Sequence, residues 1–426
     1  SVALDIPFEI AVYVGLASIL MCSMLGGMRA VTWTQVAQYI VLIIAYLLPV
    51  FWISNNIGAG FFPHFMLADE VARIAELEGQ FGFVKNSAAD LATVPKGLAG
   101  ITKPHSSVNA TPWAFISLAV CMMAGTASLP HVMMRYFTTP SVRTARRSVG
   151  WSLFFIFLLY SSAPMLATLS KISLMDPNLA TGIIGKSITE VQALDWYQNW
   201  NQAKLMFVSD FNGNGTLELN EFFMKGSAVV LATPEIAGLP YVISGLVAAG
   251  GMAAAMSTAD GLVLAISNAL SHDVYYKIIN PKAETAKRLI VARVLLVLIG
   301  FAGATIAALE IQGILGSVIW AFDFAMSGLF FPLVLGVWWK RANAPGAVAG
   351  MLLGLISGTA YLVWVRSGGS GFLGITQLTF GIVGASVSLV SMIVVSLITA
   401  APDAATQKMV DDVRIPSGKT ILGKQH

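Results

Sequence analysis

The chain has 426 residues, is 56% hydrophobic and only 11% charged, and carries a formal net charge of +3; its mean hydropathy is +0.74. A soluble globular chain carries about 25% charged residues, so this composition excludes a soluble enzyme and points to a polytopic all-α membrane protein. The small net charge, with no basic patch interleaved with aromatics, excludes nucleic acid as a partner and leaves the lipid bilayer and a small solute.

A helix needs about 20 apolar residues to cross a bilayer. Runs of that kind predict nine spans, at 7–25, 36–54, 112–130, 149–170, 238–270, 289–309, 313–338, 345–365 and 374–399. Most of the Lys and Arg, among them Arg29, Arg135, Arg143, Arg146, Arg147, Lys340 and Arg341, then fall on one side. Short positive loops stay cytoplasmic, which puts the N-terminus outside and the C-terminus inside. Cys22 and Cys121 both lie within spans and read as packing residues. Ser1 opens the chain without a basic signal-peptide region and only a few residues before the first span, so the start reads as internal to a longer protein.

In chain order, two helices (1–54) are joined by GGMRAVTWTQ at 26–35, a tight Gly-Gly turn with Arg29 on the cytoplasmic side. An external loop at 55–111 follows, in which Phe61, Phe62, His64 and Phe65 make a candidate interfacial segment. Two more helices occupy 112–170, and the first ends in GTASLPHVMMRYFTTPSVRTARRSV. Gly125 to Pro130 predict an interruption at or near the membrane. Transporters bind solute beside interrupted helices.

A second external loop, 171–237, contains DFNGNGTLELNE at 210–221. It fits the pattern of an EF-hand calcium loop without a gap. Asp210, Asn212 and Asn214 supply side-chain oxygens at positions 1, 3 and 5, Gly215 turns the chain, Thr216 offers its carbonyl, Glu218 stands at position 9 and Glu221 is the bidentate ligand at 12. Leu217 is the expected apolar residue at position 8. A single hand with three acidic ligands predicts a weak structural Ca2+ site, in the range of ~10⁻⁴ to 10⁻³ M. The competing reading is a polar Asn-Gly turn.

Five helices occupy 238–400, ahead of a cytoplasmic tail at 401–426. The first of them, 238–273, is apolar except near its middle, where Ser257, Thr258 and Asp260 sit. The two hydroxyls and the Ala254 carbonyl one turn back offer three oxygens to one point, the ligand type that hard cations take. Gly250 and Gly251 predict a weakening of the helix that releases carbonyls. The alternative is that both hydroxyls bond back to their own helix. The span 313–338 carries Trp320, Asp323 and Ser327, and the Gly-rich span 345–365 predicts close helix packing.

Three stretches together resemble the sodium:solute symporter family. Gly26-Gly27-Met28, Ala30-Val31 and Trp33-Thr34 are similar to its GG-hydrophobic-x-A-V-x-W-T signature. LPHVMMRYFTTPSVRTARRSV is similar to the cation/acetate symporter branch at His131, Met134, Arg135, Phe137, Thr138, Ala145, Arg146 and Ser148. Ala254, Ser257 and Thr258 look like the A-x-x-S-[ST] element of the family's sodium site, and Ser271-His272-Asp273 recurs there as S-H-D.

The resemblance implies part of a LeuT-type inverted-repeat (5+5) core in a bacterial inner membrane. Missing N-terminal helices of the same transporter are then expected before residue 1. It implies Na+ binding at Ala254, Ser257 and Thr258, with Asp260 as a neutralising or proton-carrying group, and a solute cavity that makes Trp320 and Asp323 candidates beside Thr126 and Ser128. The function implied is sodium-coupled symport of a small monocarboxylate such as acetate. The alternative is a membrane sensor that binds solute without moving it. An enzyme is not expected, because no nucleophile, acid-base pair and orienting group converge.

Overall fold

The structure is a computed structural model that describes residues 7–60, 63–81, 99–100, 112–309 and 313–414. Helix α1 runs Phe8–Asn56, α2 Leu67–Gln80, α3 Pro112–Ala127, α4 Pro130–Met133 and α5 Val142–Met175. Strand β1 is Ala99–Gly100. Between α5 and the next long helix lie α6 Ile188–Gln192, α7 Asp195–Gln202, strands β2 Met206–Val208 and β3 Phe222–Met224, and α8 Val229–Ile236. Then come α9 Tyr241–Asn268, α10 Thr285–Ala308, α11 Ile314–Ala325, α12 Phe331–Trp338, α13 Ala344–Arg366, α14 Gly381–Ile398 and α15 Ala404–Asp412. Two π-helical segments, Ala269–Ile279 and Met326–Phe330, extend α9 and link α11 to α12.

Among the described residues seven helices are long and apolar enough to cross a membrane, or eight if the bent pair Trp113–Ala127 and Pro130–Tyr136 is one span. The first of the nine expected crossings is the shorter apolar helix Ile10–Met24. The expected turn is present as a break at Gly27, whose φ of 56° and ψ of −159° favour glycine, between the helix Ile10–Met24 and the span Ala30–Asn56. The interruption at Gly125 to Pro130 is present, with a bend of 47°. Pro130 disfavours helical geometry at Leu129, which is extended (φ −70°, ψ 117°). Ser128 then donates to the carbonyls of Ala124 and Gly125, both at 2.9 Å, and satisfies the frayed end.

The chain divides into two compact units. One comprises residues 1–104 and 150–310. Its helices α1 and α9 pack closely, because Gly250 has no side chain: a Cβ there would lie 2.6 Å from Ala45 Cβ. Val31, Leu264 and Leu296 form a buried cluster. The segment after α5 is not the loop that its sequence predicts. It folds around its own core of Leu174, Ile183, Trp200, Leu217 and Phe222, with a three-stranded antiparallel sheet in the order β1-β3-β2, a departure from all-α.

The amphipathic α2 lies near this segment and holds it by charge, since Arg73 Nη2 pairs with Asp176 and Nη1 meets Glu70 at 3.5 Å. Burial pushes the Asp176 carboxyl up, but the Asn178 amide and the Arg73 guanidinium outweigh it and hold it below its usual value. That contribution is present above the ordinary carboxylate range and is lost as pH falls through the lowered value. His64 bonds Ser162 at 2.9 Å and Phe65 is exposed, whereas Phe61 and Phe62 lie outside the described residues.

The other unit comprises residues 105–149 and 311–426. Its centre is a ladder of buried glycines on α13, at Gly346, Gly350, Gly354 and Gly358. Ser388, Met392 and Ser396 of α14 fill the space those glycines leave. Asn343 caps α13 and reaches Thr399 Oγ1 at 2.7 Å, while Arg341 donates to the Thr399 carbonyl at 2.6 Å. Lys340 meets Asp411 of α15 at 2.7 Å.

A Cβ at Gly354 would lie 2.1 Å from the Ser327 carbonyl and 2.8 Å from Ser388 Cβ. Gly354→Ala is therefore expected to destabilise the protein by about 1–3 kcal/mol, read as a lowered thermal midpoint. Gly336→Ala, with nothing within 4 Å, is the control and should leave the midpoint unchanged or raise it, by up to ~1 kcal/mol of helix propensity.

Candidate ion and solute site

Ala254, Ser257 and Thr258 lie on an unbroken stretch of α9. The expected release of carbonyls at Gly250 and Gly251 does not occur, because the glycine is used for close approach to α1 rather than to weaken the helix. Ser257 Oγ donates to the Ala254 carbonyl at 2.9 Å and Thr258 Oγ1 to the same carbonyl at 3.3 Å. The hydroxyls thus bond back to their own helix, as in the alternative reading of this stretch, and both do so at the same carbonyl. Gln35 of α1, which the sequence did not single out, donates its Nε2 to the Ser257 carbonyl. Thr258 is exposed and Ser257 half-buried, so the group has an open side.

Asp260 belongs to a different contact. It is fully buried and accepts from Ser23 Oγ of α1 at 3.2 Å. It therefore holds α1 to α9. His272 and Asp273, 3.0 Å apart and exposed, lie within the π-helical extension that runs on to Ile279 rather than at the helix end expected, with Lys277 also on Asp273 at 3.2 Å.

The four solute candidates lie in the other unit and do not share one environment. Thr126 is exposed and bonds back to Met122 at 2.7 Å. Ser128 is fully buried and spent on capping the broken helix. Trp320 donates its indole N–H to the Gln377 carbonyl at 2.9 Å, and the Arg366 guanidinium stands 5.0 Å over its ring. Asp323 is fully buried at the amide end of α14. Arg366 is the residue that sequence reasoning passed over here: it sits 46 positions from Trp320 in the chain, and only the pairing of α11 with α13 brings them together.

In the loop 210–221, Asp210 accepts from the amides of Gly213 and Gly215 at 2.8 and 2.9 Å. Asn212 and Asn214 accept from Asn214 N and Thr216 N at 2.9 and 2.7 Å. Glu221, wholly buried, accepts from the amides of Phe211 and Glu218 at 2.8 and 3.0 Å. Glu218 accepts instead from the side-chain amides of Asn212 and Asn214, at 2.7 and 3.0 Å. The carboxylates are thus engaged by internal donors, and among the described residues no group of three or more His, Cys, Asp or Glu is placed to hold a metal ion. The calcium expectation is not met by a gathered ligand set.

A family model described as the sodium:solute symporter family matches residues 1–187 and 225–354. The stretch between them holds the candidate calcium loop. An uncharacterized symporter of Cupriavidus necator is 33% identical over 96% of this chain and 72% of its own length. A monocarboxylic acid transporter of Corynebacterium glutamicum is 26% identical over 82% of this chain, which spans only 54% of that relative. Among solved structures, the substrate-bound outward-open state of a Na+-coupled sialic acid symporter matches with a TM-score of 0.58 at 16% identity, covering 93% of this chain and 68% of that one. At that identity the likeness concerns the fold, which is that of a polytopic membrane transporter.

The Ser23–Asp260 contact makes a measurable prediction. A hydrogen bond contributes roughly 0.5–1.5 kcal/mol, so Ser23→Ala should lower the thermal midpoint by a corresponding amount. With Asp260→Asn in a double-mutant cycle the two losses should fall short of additivity; strict additivity would show that the pair is not coupled.

Proposed function

The chain belongs to the sodium:solute symporter family, and on that premise we propose that it works in a secondary active transporter that couples Na+ to a small monocarboxylate such as acetate. The observation that carries the reading is the convergence of Ser257 Oγ and Thr258 Oγ1 on the Ala254 carbonyl, within 3.3 Å, on the open side of α9. Each hydroxyl donates a hydrogen bond to that carbonyl and keeps its own lone pairs, which are what a hard cation takes. Gln35 fixes the next carbonyl of the helix from α1, so a cation arriving at this face meets oxygens already held in place. Asp260 contributes negative charge from the buried side of the same turn.

The monocarboxylate assignment is supported by the Corynebacterium relative's name and by the LPHVMMRYFTT stretch. Of the solute candidates, exposed Thr126 beside the broken helix and Trp320 with Arg366 over its ring are the ones retained. Arg366 supplies the cation near an aromatic face that a carboxylate would use, in the absence of any mid-span Lys or Arg on α3, α9 or α11. The ion then favours the state that completes the solute site, by alternating access. The N-terminus is assigned to the outside of a bacterial inner membrane and the 401–426 tail to the cytoplasm, from the positive loops.

The reading is tested by uptake of radiolabelled acetate, pyruvate and a neutral amino acid into proteoliposomes holding the full-length protein. Acetate uptake should require a sodium gradient. Ser257→Ala/Thr258→Ala should raise the sodium concentration for half-maximal uptake at least tenfold, which corresponds to ~1.4 kcal/mol. Sodium-driven uptake of another solute would discard the acetate assignment alone, whereas sodium-independent uptake would remove the ion site.

Calcium binding at 210–221 is a separate proposal, supported by the gap-free register of the motif and by positive φ at Gly213 and Gly215. Titration calorimetry of the full-length protein should give a dissociation constant in the range of ~10⁻⁴ to 10⁻³ M, lost in Glu221→Gln. No calcium-dependent heat in the wild type would leave the loop as a structural turn.

A further inference from the structure

Asp323 is fully buried where α11 passes into the π-helical Met326–Phe330 segment. Neither carboxyl oxygen makes a hydrogen bond of full geometry, although the amides of Phe380 and Gly381 and the Cys121 thiol approach it. The amide end of α14 abuts it, since a Cβ on Gly381 would lie 2.8 Å from Asp323 Oδ1. Cys121 of α3 lies beside it, but the thiol is directed at the Thr379 carbonyl, 3.8 Å away. Ser327, one turn on, donates to the Asp323 backbone carbonyl at 2.7 Å rather than to its carboxyl.

No cation faces this carboxyl among the described residues. On α3 the titratable group is Cys121; α12 and α14 carry none. On α13 they are Tyr361, bonded to the Ile375 carbonyl at 2.9 Å, and Arg366, placed over Trp320. An ionised carboxylate sealed from water without a partner is strongly disfavoured. The positive end of α14 faces the same oxygens and opposes a second positive charge there. A proton is the remaining way to neutralise the group.

We propose that Asp323 is a proton-binding site, holding a proton on one carboxyl oxygen in the conformation described. When the proton leaves to water, the carboxylate is drawn to the amides of Phe380 and Gly381 at the start of α14, which favour negative charge. Proton occupancy then sets how tightly the π-helical end of α11 is held to α14. Bulging segments of this kind are frequent at functional sites because their spare carbonyls admit a second arrangement. The inference stands apart from the identity of the transported solute.

Infrared difference spectroscopy of the full-length protein in lipid nanodiscs tests it. At about pH 7 an ordinary aspartate, with a pKa of about 3.9, is ionised. The wild type is expected to show a protonated-carboxyl stretch that Asp323→Asn lacks and Asp323→Glu retains at a shifted frequency, and Cys121→Ser should shift the same band. Should Asp323→Asn fail to fold, the shifts in Asp323→Glu and Cys121→Ser carry the assignment. The proposal is overturned if the wild type shows no such band at that pH, or if every protonated-carboxyl band survives all three substitutions unchanged.

Discussion

Inside a membrane, a polar group finds no water and must be satisfied within the protein. The described spans meet this constraint in one recurring way: a Ser or Thr hydroxyl donates to a carbonyl one turn back on its own helix. Thr168, Thr359 and Ser386 do so at 2.8, 2.7 and 2.8 Å. The same bond is made by Ser257 and Thr258. The proposed ion face follows from this. A hydroxyl that donates its hydrogen bond still has lone pairs, so the bond that makes it tolerable in an apolar helix also leaves acceptor capacity of the kind a cation takes. Two adjacent hydroxyls sharing one carbonyl convert an ordinary solution to burial into a cluster of oxygens.

The glycines serve a related end. Where α13 meets α14, and where α1 meets α9, the backbones approach so closely that a Cβ would overlap its neighbour. In lipid the hydrophobic effect gives little drive for helices to associate, and close van der Waals packing of small residues takes its place. This also limits what a buried acid can do. Asp260 has Ser23 from α1, whereas Asp323 lies against a glycine and a thiol. The same residue type in two tight interfaces thus acquires a hydroxyl donor in one and the amide end of a helix in the other.

Much of this was legible in the chain because its signals are local. Apolar runs located the spans, and Pro130 marked the break, since proline acts on its own and the preceding residue. The hydroxyl pair on α9 was legible from spacing alone. What depended on the third dimension was not. Gly250 was misread as a helix-weakening residue because the sequence does not show Ala45 of α1 opposite it. Residues 171–237 read as a loop because their apolar residues are spread among short elements with no sustained period, yet they build a core with Trp200, Leu217 and Phe222 inside. The calcium motif supplied the right oxygens in the right order, but order does not decide whether they point at an ion or accept from the loop's own amides.

The burial of Asp323 carries the sharpest version of that lesson. Read along the helix, an acid three residues after a tryptophan, in a span expected to line a cavity, looks like a solute ligand. Its neighbours come from elsewhere in the chain, on α3 and α14, and they leave it neither open to solute nor beside a cation. Chemistry then narrows the possibilities, because a sealed carboxyl must be neutralised by something small enough to fit and compatible with the positive end of a helix. A proton meets both conditions. If the protein moves sodium at the Ala254–Thr258 face and a proton at Asp323, its two ions occupy sites of opposite character. One is an open cluster of neutral oxygens, and the other is a closed acid whose charge state is coupled to the packing of the helices around it.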